Sequence, residues 1–453
     1  MLRAMYTGVS GLRTHQSKMD VIGNNIANVN TVGYKRSTAT FKELFTQTLQ
    51  GASGAQGGLA GTNPQQVGLG VTQGATTVIH TQGAAQTTDN PLDAMIDGNS
   101  FFMVSNDPGF LNRFYTRAGN FQIDEQGTLA TPDGYKVLGY KMNDDGTVSQ
   151  EPGELIVNKA DTMEPTTTKN IDLLGNLNSN MAMVDGTGKL LDAEARTRYM
   201  DTRIYDSLGN SYTVKLKVFR DAIQSGTPGA YTGYSNPSWK LSLDSIKDAN
   251  GQALSAPATP ALDPVSVALT FGVDGNFTGV DTANLKITGA TDKAFGTKDP
   301  ATGLYDGTIK IDLSKITQYG TDFTIEAKRK DGNTAGSVDS FAINNKGELV
   351  ARYTNGEPKV LGILALAKFE NNAGLEKVGG NLYQDSRNSG DPVLGRAGQQ
   401  GYGTISNGRL EMSNVDLSYE FTEMITTQRG FQANSRIIST SDEILQELVN
   451  LKR

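Results

Sequence analysis

Few residues in this sequence have the type and spacing that chemistry needs. Asp93 with Asp97 and Asp144 with Asp145 offer paired carboxylates, the raw material of general acid–base or glycosidic cleavage. Neither pair sits in a recognisable catalytic context. There is no nucleophile elbow, no H-E-x-x-H, and His15 and His80 are the only imidazoles. No cysteine is present, so a disulfide framework and a thiolate metal site are both excluded. Asn143-Asp144-Asp145-Gly146 looks like a calcium loop, but its carboxylates do not alternate and no Glu stands at the twelfth position, so it reads as a turn. Gly68, Gly70 and Gly74 miss the G-x-G-x-x-G spacing, and no Lys-Ser/Thr follows to hold a phosphate. The expectation is therefore no enzyme, no cofactor and no metal.

The elements that would position any site are better marked than the site itself. From Val415 to Arg453 the residues Leu417, Met424, Phe431, Ile438 and Leu445 recur at heptad spacing, a continuous apolar seam on one helix face. Phe421, Ile425, Ile444, Leu448 and Leu451 widen it. A polar companion series, Gln428, Ser435 and Asp442, argues against a simple two-stranded zipper. Such a helix reaches roughly 55 Å. At the other end Leu2, Met5, Val9, Leu12, Met19 and Ile26 follow a four-three spacing, with Gln16 in register. Two readings stay open: an antiparallel pair that closes one domain, or one sticky element used between subunits. The first helix is weak, because Gly8, Gly11 and Gly23 each cost about 1 kcal/mol relative to Ala. Isolated helices of this length are marginal, so it is expected to be largely disordered until it meets a partner.

Between the helices the pattern is different. Of 453 residues 52 are Gly and 37% are hydrophobic, so cores must be modest and turns numerous. The net charge of −7 argues against a nucleic-acid partner. No apolar run approaches the roughly 18 residues that span a bilayer, and Arg3, Thr7, Gly8 and Ser10 interrupt any cleavable leader. The fold class expected is mainly β with terminal α-helices. Residues 1–35 and 411–453 form a helical coiled-coil domain. Residues 36–70 read as a flexible connector carrying Phe41 and Phe45, whose i, i+4 spacing would suit a helical turn on a core. Residues 71–157 and 337–410 make one discontinuous β domain, and 158–336 an inserted β domain. In that insert Tyr212, Val214, Leu216 and Val218 alternate with Thr213, Lys215 and Lys217, and Trp239 reads as a core residue. Residues 250–300 look looser and could be a surface insertion.

Four stretches carry a resemblance: VSGLRTHQSKMDVIGNNIANVNTVGYK at 9–35, NPLDAMIDGNSFFMV at 90–104, YTRAGNFQID at 115–124 and SNVDLSYEFTEMITTQRGFQANSRII at 413–438. They resemble the axial proteins of the bacterial flagellum, the rod and hook family. YDSLGN at 205–210 looks like the middle domain that hook members have and shorter rod members lack. The resemblance implies an extracellular homopolymer, a curved tube that works as a universal joint, with the paired terminal helices as its inner layer. It implies export in an unfolded state by the flagellar type III apparatus, with Phe41 and Phe45 matching an export-gate motif. Its implied partners are itself, the distal rod protein, the hook cap and the hook–filament junction proteins, without membrane insertion. A distal rod protein is the alternative. Some family members crosslink through a Cys, which this sequence lacks.

Overall fold

The computed structural model describes residues 2–54, 60–143, 146–181, 191–192, 194–225, 233–254, 259–280, 282–288, 295–298 and 305–451. Two long helices, α1 (Leu2–Ala27) and α2 (Leu417–Leu451), bracket a chain otherwise built mainly of strands. Among the described residues no helix is long and apolar enough to cross a membrane. The chain divides into two compact units: Met1–Lys159 with Ser340–Ala351 and Pro358–Arg453, and Ala160–Asp339 with Arg352–Glu357.

The first unit holds both helices. Its central strands, among them Phe101–Ser105, Lys136–Lys141 and Pro358–Lys368, are apolar on both faces, because successive side chains point to opposite sides. Phe101, Met103, Leu138 and Tyr140 fill one core. Phe102, Val104, Val137 and Leu364 fill the other. Within residues 36–70, expected as a flexible connector, three stretches are strand. β1 (Ser37–Glu43) pairs antiparallel with β4 (Val71–Val78), and β2 (Thr46–Gln50) with β3 (Gln65–Gly68). The Gly- and Gln-rich composition hid this long hairpin, since strand pairing through the backbone needs no apolar side chains. Phe41 lies in β1 and Phe45 just before β2, so the helical turn suggested by their spacing does not form.

The second unit packs a sheet of five strands and a sheet of four around one core that includes Trp239. Thr197–Tyr205 turns into Ser211–Ser225 through Asp206–Asn210. There the fully buried Asp206 carboxylate accepts from the amides of Leu208 (3.0 Å) and Asn210 (2.8 Å), and Gly209 takes φ +83°. Tyr212, Val214, Leu216 and Val218 all face the core. Within 250–300 the described residues are more than a loose insertion. Thr259–Asp263, Ser266–Leu269 and Thr282–Thr288 are paired strands, and Leu262, Val267, Leu269, Leu285 and Ile287 are core residues. The short apolar alternation, Ala283, Leu285 and Ile287 against Asn284 and Lys286, was diluted by the surrounding Ala, Thr and Gly.

Candidate assembly interface

α1 and α2 pack side by side and antiparallel: Gly8 lies against Ile438, Gly11 against Asn434, His15 against Gly430, and Lys18 is ion-paired with Glu423. Asp416 caps α2 by accepting from the amides of Ser418 (2.9 Å) and Tyr419 (3.3 Å). The contact is close because it is lined with small groups. A Cβ on Gly8 would stand 3.1 Å from Ile438 Cγ1, one on Gly11 2.8 Å from the Asn434 side chain, and one on Gly430 2.6 Å from the His15 ring. Two of the glycines that weaken α1 are thus the points where α2 approaches it. Burial lowers the pKa of His15 there, with the Lys18 charge adding to the effect.

The contact line is offset from the stripe that periodicity picks out. On α1 it runs through Gly8, Gly11, Lys18, Ile22 and Asn25, with Ile22 the buried apolar residue. Met5, Leu12, Met19 and Ile26 are half-buried beside it, and Val9 is exposed; Leu2 starts the helix. On α2 the buried positions are Glu420, Thr427 and Ser441. Met424, Phe431, Ile438 and Leu445 are half-buried, and Leu417 and Phe421 are exposed. The polar companion series is therefore Glu420, Thr427, Asn434 and Ser441, not Gln428, Ser435 and Asp442, which face solvent. A lone seam can be flanked three or four residues on, and only the side on which α1 lies decides between them. Tyr6, Phe421, Ile425, Ile444, Leu448 and Val449 all remain exposed, Tyr6 by 74%.

Phe41 meets the α1 surface, edge-on to the His15 ring at 5.5 Å and beneath Lys18 Nζ at 5.8 Å. Phe45 is 72% exposed. A groove of about 460 Å³ between α1 and the hairpin is lined by Tyr6, Val9, Arg13, Leu44 and Val71.

At the base of the helix pair lies a polar clamp that periodicity cannot reveal. Asn25 donates to Ser37 O (2.8 Å) and to Glu420 Oε2 (3.2 Å), and accepts from Tyr34 Oη (3.2 Å) and the Ser37 amide (3.0 Å). Burial, then the Glu420 charge, raises the Tyr34 pKa. Asn414 accepts from the Arg36 amide (2.8 Å) and donates to Ile79 O (2.8 Å). Lys35 and Glu411 are fully buried, with Nζ donating to Oε1 at 2.5 Å and to Thr81 O at 2.7 Å. Arg117, also buried, approaches Glu411 Oε2 at 3.4 Å and donates to Gly98 O at 2.7 Å. The Gly83 amide donates to Glu411 Oε1 at 2.9 Å. Burial lowers the pKa of both Lys35 and Arg117, and Glu411 opposes the shift in each. Gly33 closes the clamp with φ +70°, its amide on Glu411 O at 2.7 Å and Ala118 N only 2.6 Å from where a Cβ would sit. Residues of 9–35 and 413–438 are therefore conjoined here. The only signal in the sequence was the density of Asn, Gly and Tyr after α1.

The carboxylates singled out in the sequence are engaged with their neighbours or lie outside the described residues. Asp93 is held by Thr88 Oγ1 (2.7 Å) and Asn90 Nδ2 (2.9 Å), and Asp97 by Gln82 Nε2 (2.6 Å). Asp144 and Asp145 lie outside the described residues. Among the described residues no group of three His, Cys, Asp or Glu could hold a metal ion.

Four family models match the chain. They are the Flagella basal body rod protein at 5–35, the Flagellar hook protein FlgE/F/G D1 domain at 95–172, the Flagellar basal body protein FlaE D2 domain at 176–333, and the Flagellar basal body rod FlgEFG protein C-terminal at 406–451. The chain is 36% identical to the flagellar hook protein FlgE of Borreliella burgdorferi, with 100% of each chain covered. It is 34% identical to that of Treponema pallidum, again over 100% of each. It is also 31% identical to the flagellar basal-body rod protein FlgG of Bacillus subtilis, over 100% of each. A crystal structure of Helicobacter pylori flagellar hook protein FlgE2 superposes with a TM-score of 0.50 at 16% identity, over 72% of this chain and 100% of that one, a likeness of fold.

Proposed function

The chain belongs to the flagellar hook protein family and is a structural component of the flagellar hook, not an enzyme; from that premise we propose how it assembles. Copies polymerise into the curved hook tube by covering one another's exposed helix flanks. The observation that carries this is the offset between the contact line and the apolar stripe: α1 and α2 meet mainly through small and polar groups, with Ile438 against Gly8 an apolar contact among them, while Tyr6, Val9, Phe421 and Ile425 stay exposed. Each such side chain is worth about 1.5–3 kcal/mol when removed from water, so several per subunit suffice for a specific contact. A contact between different patches that does not close on itself grows a helical filament. In that filament Leu2, Met5, Val9, Leu12, Met19, Ile26, Leu417, Phe421, Met424, Phe431, Ile438 and Leu445 line the inner helical layer.

The chain leaves the cell unfolded through the flagellar type III apparatus, which reads Phe41 and Phe45. The exposure of Phe45 and the surface position of Phe41 support this, since neither ring is needed by a core. The tube then joins the distal rod protein, the hook cap and the hook–filament junction proteins, and bends as a universal joint. A rod role is the second reading, favoured by the full-length likeness to a rod protein. Electron microscopy of the polymerised full-length chain separates the two: curved tubes support the hook, straight rods the alternative, and absence of polymer refutes both. The doubly substituted Phe421→Ser, Ile425→Ser protein should keep the wild-type melting temperature and fail to polymerise. Polymerisation of that variant at wild-type rate would mean the flank is not the contact.

A further inference from the structure

His80 is a titratable group at the clamp that the assembly reading leaves unused. It sits in the loop after β4, between Ile79, whose carbonyl receives Asn414, and Thr81, whose carbonyl receives Lys35. Its ring lies against Phe101 at 5.6 Å and Tyr383 at 5.3 Å. The charges that face it are all positive: Lys35 from the segment after α1, Arg117 from the loop after Phe114–Thr116, and Lys377 from Glu376–Gly379. Glu411, the carboxylate that pairs with two of these cations, is already shared by Lys35 and Arg117. The backbone of Asn372 is the one group that favours a charged His80. A proton on this ring would add a further positive charge to a buried cluster that already has two cations for one anion.

We propose that this cluster is an acid-operated latch: protonation of His80 detaches the loop 79–83 from Lys35, Glu411 and Asn414 and so frees the base of the helix pair from the β domain. Burial, then the charges of Lys35, Arg117 and Lys377, lowers the His80 pKa from 6.5 to about 4 in the closed clamp. The released loop, with His80 in water, takes up its proton with the ordinary affinity. The released state therefore binds more protons than the closed one between those values, and closure weakens as pH falls through that window. Linkage makes the opening constant about 30-fold larger at pH 5, and about 150-fold larger at pH 4, than above pH 7.

The test uses the full-length protein and a glutamate-specific protease active from pH 4 to 8, reading single bonds by mass spectrometry. Cleavage after Glu411, fully buried in the closed clamp, is divided by cleavage after Glu125, exposed in a turn, which cancels the protease's own pH dependence. The ratio should rise about 30-fold from pH 7.5 to pH 5 in the wild type, and stay flat in His80→Phe. An equal rise in both proteins, or a flat wild type, would overturn the latch. If His80→Phe does not fold, ¹³C-histidine resonances of the wild type decide, assigned against His15→Gln. A His80 titration near 4, coupled to the opening, is expected; a titration near 6.5 with the clamp intact refutes the proposal. None of these readouts involves polymerisation, so the latch and the assembly reading stand or fall separately.

Discussion

Replacing Glu411 should harm this protein far more than replacing Lys35, although the two are partners in one ion pair. The fully buried cluster has two cations, Lys35 and Arg117, for one carboxylate. Lys35→Met removes the surplus charge and leaves Arg117 with Glu411, an ordinary one-to-one pair that keeps the Gly83 amide bond. What it loses is the donor to Thr81 O and one ion-pair contact, against a relieved desolvation cost, so the net loss is about 1–2 kcal/mol. Glu411→Gln leaves two buried cations with no counter-charge. Breaking a buried pair in this way costs about 3–5 kcal/mol. At about 2–4 °C per kcal/mol for a unit of this size, that lowers the melting temperature of the first unit by roughly 6–20 °C. Differential scanning calorimetry can resolve the two units, and the fluorescence of Trp239, the single tryptophan, reports the second unit alone. The Trp239 transition should not move in either variant. If Lys35→Met proved as destabilising as Glu411→Gln, the argument from surplus buried charge would be wrong. Equal displacement of the Trp239 transition would show that the effect is not local.

The glycines of α1 should divide by what stands opposite them. Gly23→Ala, with nothing within 4 Å of the added Cβ, should stabilise α1 by up to about 1 kcal/mol. Gly11→Leu, 2.8 Å from the Asn434 side chain, should destabilise the pair by about 1–3 kcal/mol despite its better propensity. Circular dichroism at 222 nm under thermal ramp checks both, and a stabilised Gly11→Leu would disprove the close approach. In the second unit Asp206→Ala removes the acceptor for Leu208 N, Asn210 N and Asn210 Nδ2 at a fully buried turn. It should lower the Trp239 transition by about 2–4 kcal/mol while the first unit's transition holds; an unshifted Trp239 transition would show that the turn tolerates the loss.

Seam spacing alone determined that the two ends are amphipathic helices, because a heptad repeat of Leu417, Met424, Phe431, Ile438 and Leu445 has no other economical reading. Alternation in Tyr212 to Val218 likewise settled which side of that strand faces a core, since the period of a strand is 2. The stretches at both ends were enough to identify the family. What periodicity could not supply was the side of each seam on which its partner lies. Gly8, Gly11, Ile22 and Asn25 form the contact line only because α2 packs there, and an isolated helix presents two equivalent flanks. The hairpin from Ser37 to Val78 was also illegible, since its order comes from backbone pairing and its residues are mostly exposed. The clamp was the least readable feature. Lys35, Arg117 and Glu411 look like surface charges in the sequence, and they become a buried cluster only when segments 294 and 376 residues apart are brought together. Burial is a property of the whole fold, and it alone decides whether such a charge is solvated or must be paired.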